Sequence, residues 1–132
     1  MNCLLDTHTF LWAAMSPEKL SHNAQDVILD VTNDISVSVV TFWEVSLKFS
    51  LGKLELQGIT PEDLPEAATH MGFALRILTP EEAATFYRLP RLPHKDPFDR
   101  MLIWQAICAN VTLVSKDAEL TPYQAHGLRL VW

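Results

Sequence analysis

"DPFDRMLIWQAICANVTLVSKD", from Asp96 to Asp117, reads as a helix that feeds a strand and ends on an acid. Asp96 followed by Pro97 is a helix start, with a carboxylate free to cap the first amides and a proline where no amide is needed. Leu102, Ile103 and Ala106 lie three, four and seven residues after Asp99 and so share its helix face. Beyond Asn110 the helical period gives way to a short β-branched run, "VTLVSKD" (111–117), which closes on polar residues as a buried strand does. A helix returning into a strand is the repeating unit of a parallel sheet covered by helices.

The same alternation extends along the chain. "NCLL" (2–5), "DISVSVV" (34–40), "FALRILT" (73–79) and "LRLVW" (128–132) read as further strands. Helical signals separate them: "SHNAQDVILDVTN" (21–33), with Ala24, Val27, Ile28 and Val31 as its apolar face, "TFWEVSLKFSLGKL" (41–54), "TPEDLPEAATHMG" (60–72) and "TPEEAATFYRL" (79–89). The expectation is an α/β fold with a central, mostly parallel five-stranded sheet between helical layers. A chain of 132 residues, 48% of them hydrophobic, suits a single domain over 1–132.

Composition narrows the function. Cys3 and Cys108 have no CxxC or Cys/His companions, which disfavours a zinc site or disulfide framework and predicts buried free thiols in a reducing compartment. The N-terminal segment has no basic region and its apolar run is broken by Asp6, Thr7 and His8, so neither a signal peptide nor a membrane span is expected, and the localisation predicted is cytoplasmic. A net charge of −6 argues against a broad basic face for nucleic acid.

In doubly wound sheets, ligands bind outside the carboxyl ends of the strands. Asp6 follows the first strand, Asp117 follows "VTLVSK", Glu44 lies in the helix after "DISVSVV", and Asp99 points inward from the first turn of its helix. Carboxylates gathered in low dielectric repel one another unless a cation neutralises them. An all-oxygen donor set suits Mg²⁺ or Mn²⁺.

Each acid also has a structural reading. Thr41-Phe42-Trp43-Glu44 has the form of a capping box, and Asp6 and Asp117 could cap the segments that follow them. Asp96 fits an N-cap with Arg100 as its i+4 ion-pair partner, and this structural reading is favoured over a direct metal role. Asp99 could complete that cap, but its apolar face neighbours favour function.

"LLDTHTFLW", "SVVTFWEVSLKFSLGKL", "LPHKDPFDRMLIWQA" and "LVSKD", in that order, resemble the signature of the PIN-domain family, in particular its VapC-like toxin branch. The resemblance spans nearly the whole chain and implies a PIN-like α/β/α sandwich. It also implies a Mg²⁺- or Mn²⁺-dependent endoribonuclease, the toxin of a type II toxin-antitoxin pair, with Asp6, Glu44, Asp99 and Asp117 as catalytic and metal-binding acids and Asp96 as a possible outer contact. Water attack would leave 5′-phosphate and 3′-hydroxyl ends. The implied partners are a structured RNA such as tRNA or rRNA, a cognate antitoxin and a second copy in a homodimer. Ile103 and Trp104 stand where the family commonly carries smaller residues.

Metal ions held by Asp6, Asp99 and Asp117, with Glu44 as ligand or water-orienting base, would activate a water and neutralise a phosphodiester. Lys48, Lys95, Arg100 and Lys116 are candidate phosphate contacts, although Lys48 is better explained as the i+4 partner of Glu44. His8 and His94 are expected to be solvent-facing loop residues. Most of Trp12, Phe42, Trp43, Phe49 and Trp104 are expected in the core, with any surplus offering a partner surface. The competing readings are a housekeeping or DNA-directed nuclease, a phosphatase, and an inactive binding module whose acids are helix caps.

Overall fold

The computed structural model describes residues 1–132. Five strands, β1 (Asn2–Leu5), β2 (Asp34–Ser38), β3 (Ala74–Arg76), β4 (Thr112–Val114) and β5 (Arg129–Val131), form one all-parallel sheet in the order β3-β2-β1-β4-β5. Six α-helices connect and cover them: α1 (Thr7–Met15), α2 (His22–Leu29), α3 (Val39–Ser50), α4 (Leu64–His70), α5 (Pro80–Thr85) and α6 (Pro97–Ala109). A 3₁₀ segment, Ala118–His126, links β4 to β5. No helix is long and apolar enough to cross a membrane.

The central strand shows why the sheet needs two helical layers. Cys3, Leu4 and Leu5 are all buried, and alternate residues face opposite sides. Cys3 and Leu5 belong to a core with Phe10, Leu11, Ala24, Val37 and Val45, whereas Leu4 belongs to one with Val40, Leu102, Ile103, Ala106 and Leu113. The apolar face predicted for α6 is therefore the face that packs on the sheet.

Local chemistry moved several boundaries. The helix expected from Thr41 starts at Val39, because Ser38 caps it by accepting the Val40 amide at 3.0 Å. Thr41 is thus the third helical residue, and its hydroxyl lies 3.2 Å from that of Thr7, so no capping box forms with Glu44. The same sequence pattern is realised at Thr79, whose hydroxyl accepts the Glu82 amide while the Glu82 carboxylate accepts the Thr79 amide. Residues 60–72 divide into a 3₁₀ turn, Pro61–Asp63, and α4, and residues 79–89 divide into α5 and a turn, Phe86–Arg88. Val31 lies beyond α2 and is 96% exposed, and Cys108 is exposed on α6, contrary to the buried thiol expected.

Candidate metal centre

The strand order reverses beside β1: β2 and β3 lie on one side of it, β4 and β5 on the other. The connection from β1 leads to β2 on one side and that from β4 leads to β5 on the other, which opens a crevice at their carboxyl ends. Asp6 and Asp117 flank that crevice.

Asp6 is fixed from both ends. Its amide donates to the Val114 carbonyl at 3.1 Å, and its Oδ1 accepts the Thr9 amide at 2.9 Å as the N-cap of α1. The Thr9 hydroxyl also donates to the Val114 carbonyl at 3.0 Å, locking α1 against β4. Burial pushes the Asp6 carboxyl above its ordinary range, against the opposing hydrogen bonds of Ser115 and Thr9. Asp117 caps the 3₁₀ segment by accepting the Glu119 amide at 2.9 Å, while its own amide donates to Ser115 Oγ at 3.1 Å.

Asp99 enters from the first turn of α6. Asp96 builds that turn, its Oδ1 accepting the amides of Phe98 at 2.8 Å and Asp99 at 3.1 Å. Arg100 does not pair with Asp96 as expected. Its guanidinium instead donates to the carbonyls of Leu89 at 3.1 Å and Pro90 at 3.4 Å and lies over the Phe86 ring, while the Asp96 carboxylate is engaged by the amides of its own helix.

Asp6, Asp99 and Asp117 thus line one pocket of about 320 Å³, together with His8, Trp12 and Lys116. The Asp99 carboxyl is pushed up to about 7 by burial and by the charges of Asp96, Glu44 and Asp6, with His94 opposing. Glu44 is not on the pocket wall. It is 2% exposed, accepts from the Thr7 hydroxyl at 2.6 Å, and forms the anticipated i,i+4 pair with Lys48. Burial acts to lower the Lys48 ammonium, but Glu44, Asp96 and Asp99 outweigh it and hold it above its ordinary value. Glu44 therefore reaches the site through its field on Asp99.

His8 is exposed and sits in α1 rather than in a loop. The expectation for His94 fails more fully. Its side chain is 9% exposed, and its Nε2 lies 3.1 Å from Asp99 Oδ2 and 3.3 Å from Asp117 Oδ2. Its loop is tied to α6 through the bonds of Arg100 to the Leu89 and Pro90 carbonyls, which position in sequence does not reveal. Donor atoms of His94, Asp117 and Glu119 also lie within 4.8 Å of one another. On the far side of His94, Arg91, Lys95 and Arg100 line a second, basic cleft. The aromatic residues divide: Trp12, Phe42 and Trp104 are partly buried, whereas Trp43 is 62% and Phe49 39% exposed.

The carboxylates fit a hard divalent cation. Three of them converge from separate segments, one resists ionisation, and a buried imidazole nitrogen faces two of them without a hydrogen-bond partner.

Solved structures of similar architecture include VapBC2 from Rickettsia felis bound to a promoter DNA fragment (16% identity, TM-score 0.65, covering 99% of this chain and 98% of the other). VapBC-5 from Mycobacterium tuberculosis (14%, 0.61, 98% and 97%) and FitAcB from Neisseria gonorrhoeae (17%, 0.62, 98% and 96%) share the fold as well. No curated protein matches the sequence. The PIN domain family model matches residues 3–124, so the sheet, its switch-point crevice and the acids around it are those of a chain that belongs to the PIN domain family.

Proposed function

We propose that residues 1–132 act as one PIN domain, a Mg²⁺- or Mn²⁺-dependent endoribonuclease that is the toxin of a type II toxin-antitoxin pair in the cytoplasm. The observation that carries this reading is the convergence of Asp6, Asp99 and Asp117 on one switch-point pocket, with the Asp99 carboxyl pushed up to about 7 by burial and by its acidic neighbours. Helix caps alone would not gather three carboxylates in one partly buried space, which disfavours an inactive binding module.

Asp6, Asp99 and Asp117 would hold the cation. When bound, it supplies charge neutralisation and a lowered pKa for water at the scissile phosphate. The protein's own residues divide the remaining work. Thr9 and the β4 backbone keep Asp6 from swinging away, and the Asp96 cap fixes Asp99. Glu44 adds negative field behind Asp99, while Thr7 and Lys48 hold it in place. Lys116, on the pocket wall with its ammonium over Trp12, meets phosphate oxygens. The reaction is hydrolysis: a water oxygen bonds to phosphorus, the P–O3′ bond breaks, and the departing 3′ oxygen takes a proton.

Two features favour a nucleic-acid substrate and a protein partner. The basic cleft of Arg91, Lys95 and Arg100 adjoins the acidic pocket, so a polyanionic backbone can run from one to the other without a wide cationic face. Val39, Trp43, Leu47 and Leu51, at four-residue spacing, leave an exposed apolar stripe along and just beyond α3. Such a stripe suits an amphipathic segment of an antitoxin, with the homodimer contact elsewhere. VapBC-5, which shares the fold, is a member of the VapBC family of toxin-antitoxin systems, and this is consistent with the reading.

Purified protein incubated with total cellular RNA should cleave it with Mg²⁺ or Mn²⁺, and not with chelator, nor as Asp6→Ala or Asp99→Ala. Metal-dependent cleavage that survives both substitutions would overturn the assignment. Expression should arrest growth, and co-expression of a neighbouring small DNA-binding protein should relieve the arrest; a housekeeping nuclease would show neither.

A further inference from the structure

Three buried polar atoms lack a hydrogen-bond partner, Arg76 Nε, Tyr123 Oη and His94 Nε2, and of these His94 is the one that faces the carboxylates. Its side chain is 91% buried, as 9% exposure leaves it, and Nε2 has no hydrogen-bond partner. That nitrogen nevertheless sits 3.1 Å from Asp99 Oδ2 and 3.3 Å from Asp117 Oδ2. A partnerless buried nitrogen destabilises the fold that holds it, and an imidazole merely stapling two acids would turn its N–H toward one of them.

We infer that His94 is a nitrogen ligand of the divalent cation, alongside the carboxylates of Asp99 and Asp117. The inference rests on the metal-dependent reading above. In an octahedral shell with metal–oxygen distances of about 2.0–2.1 Å, adjacent donors are about 3 Å apart. Each of the two separations at Nε2 is of that size, which suits a nitrogen donor set beside a carboxylate oxygen on a shared ion. The exposed carboxylate of Glu119 lies within 4.8 Å of the His94 and Asp117 donors and is free to swing toward the ion.

The loop that carries His94 is built to hold it. Arg100 ties down the carbonyls of Leu89 and Pro90, Leu89 is buried, and Asp96, two residues after His94, is anchored as the α6 cap. The imidazole is thereby delivered between α6 and the end of β4 by backbone anchors at both ends of its segment. One imidazole among carboxylates makes the site mixed nitrogen and oxygen, and it tilts selection from Mg²⁺ toward Mn²⁺.

The test uses Mn²⁺ on the full chain, read by calorimetry and by pulsed electron paramagnetic resonance. The expected spectrum shows coupling from a directly bound imidazole nitrogen, which changes on histidine-selective ¹⁵N labelling, persists in His8→Ala and disappears in His94→Gln. Mn²⁺ affinity should fall by about ten- to a hundredfold in His94→Ala, with a smaller loss for Mg²⁺. Bound Mn²⁺ with no nitrogen coupling in the unmodified protein would overturn the inference and leave the carboxylate site standing. Failure of the unmodified protein to bind any Mn²⁺ would overturn both readings. The spectrum of the unmodified protein decides the matter even where His94→Ala fails to fold.

Discussion

Asp96 and Asp99 stand three residues apart at the head of α6 and do different things. Asp96 spends its carboxylate on two amides of its own helix, whereas Asp99 receives no such bond and faces the pocket. Asp99→Asn should abolish metal-dependent cleavage with the fold intact. Asp96→Asn keeps a good capping oxygen, so Asp96→Ala is the sharper probe, and it should lower stability by about 0.5–2 kcal/mol in denaturant titration. Equal losses of activity at unchanged stability in the Asp96 and Asp99 variants would contradict this division. Asp6 and Asp117 were legible from sequence because a polar residue just after a buried strand has few places to go. His94 was not, because its burial comes from a loop held down by Arg100, whose partners are carbonyls that no sequence pattern marks.

At the scale of elements, β2 and α3 show how one side chain sets two boundaries. Ser38 ends the strand, caps the helix through the Val40 amide, and donates to Gln105 Oε1 from the buried face of α6. Gln105, wholly buried, also donates to the Ile77 carbonyl at 3.2 Å, so it joins β2, α6 and the segment after β3. Ser38→Ala removes a cap and strands a buried acceptor. A loss of about 1–3 kcal/mol is expected, read as a shift in denaturant midpoint. A Ser38→Ala protein as stable as the parent would show that the junction rests on apolar packing alone. The alternation of strands and helices was legible because both faces of the sheet are buried. The start of α3 was not, since two Val residues read as strand until a serine cap draws them into the helix.

For the whole molecule, the acids that serve the proposed metal work against the folded state without it. The Asp99 carboxyl titrates near 7 when folded, against an ordinary value of 3.8, and Asp6 is raised in the same direction. Between those limits the native state binds more protons than the unfolded chain, so the slope of unfolding free energy against pH is negative. In chelator, stability should therefore fall as pH rises from about 4 to 7 and level off above. Exposed Asp30 and Glu62 are shifted the other way, and their contribution is confined to more acidic solution. Excess Mg²⁺ or Mn²⁺ should raise the melting temperature most at the upper end of the range, where the carboxylates are ionised and free to bind it. Asp99→Asn should behave oppositely: more stable than the parent in chelator at neutral pH, with a flatter pH profile and little response to metal. Thermal melts of both proteins across pH, with and without cation, check each arm. A parent protein whose stability in chelator rises from pH 4 to 7 would mean that the clustered carboxylates are not the dominant strain in the fold.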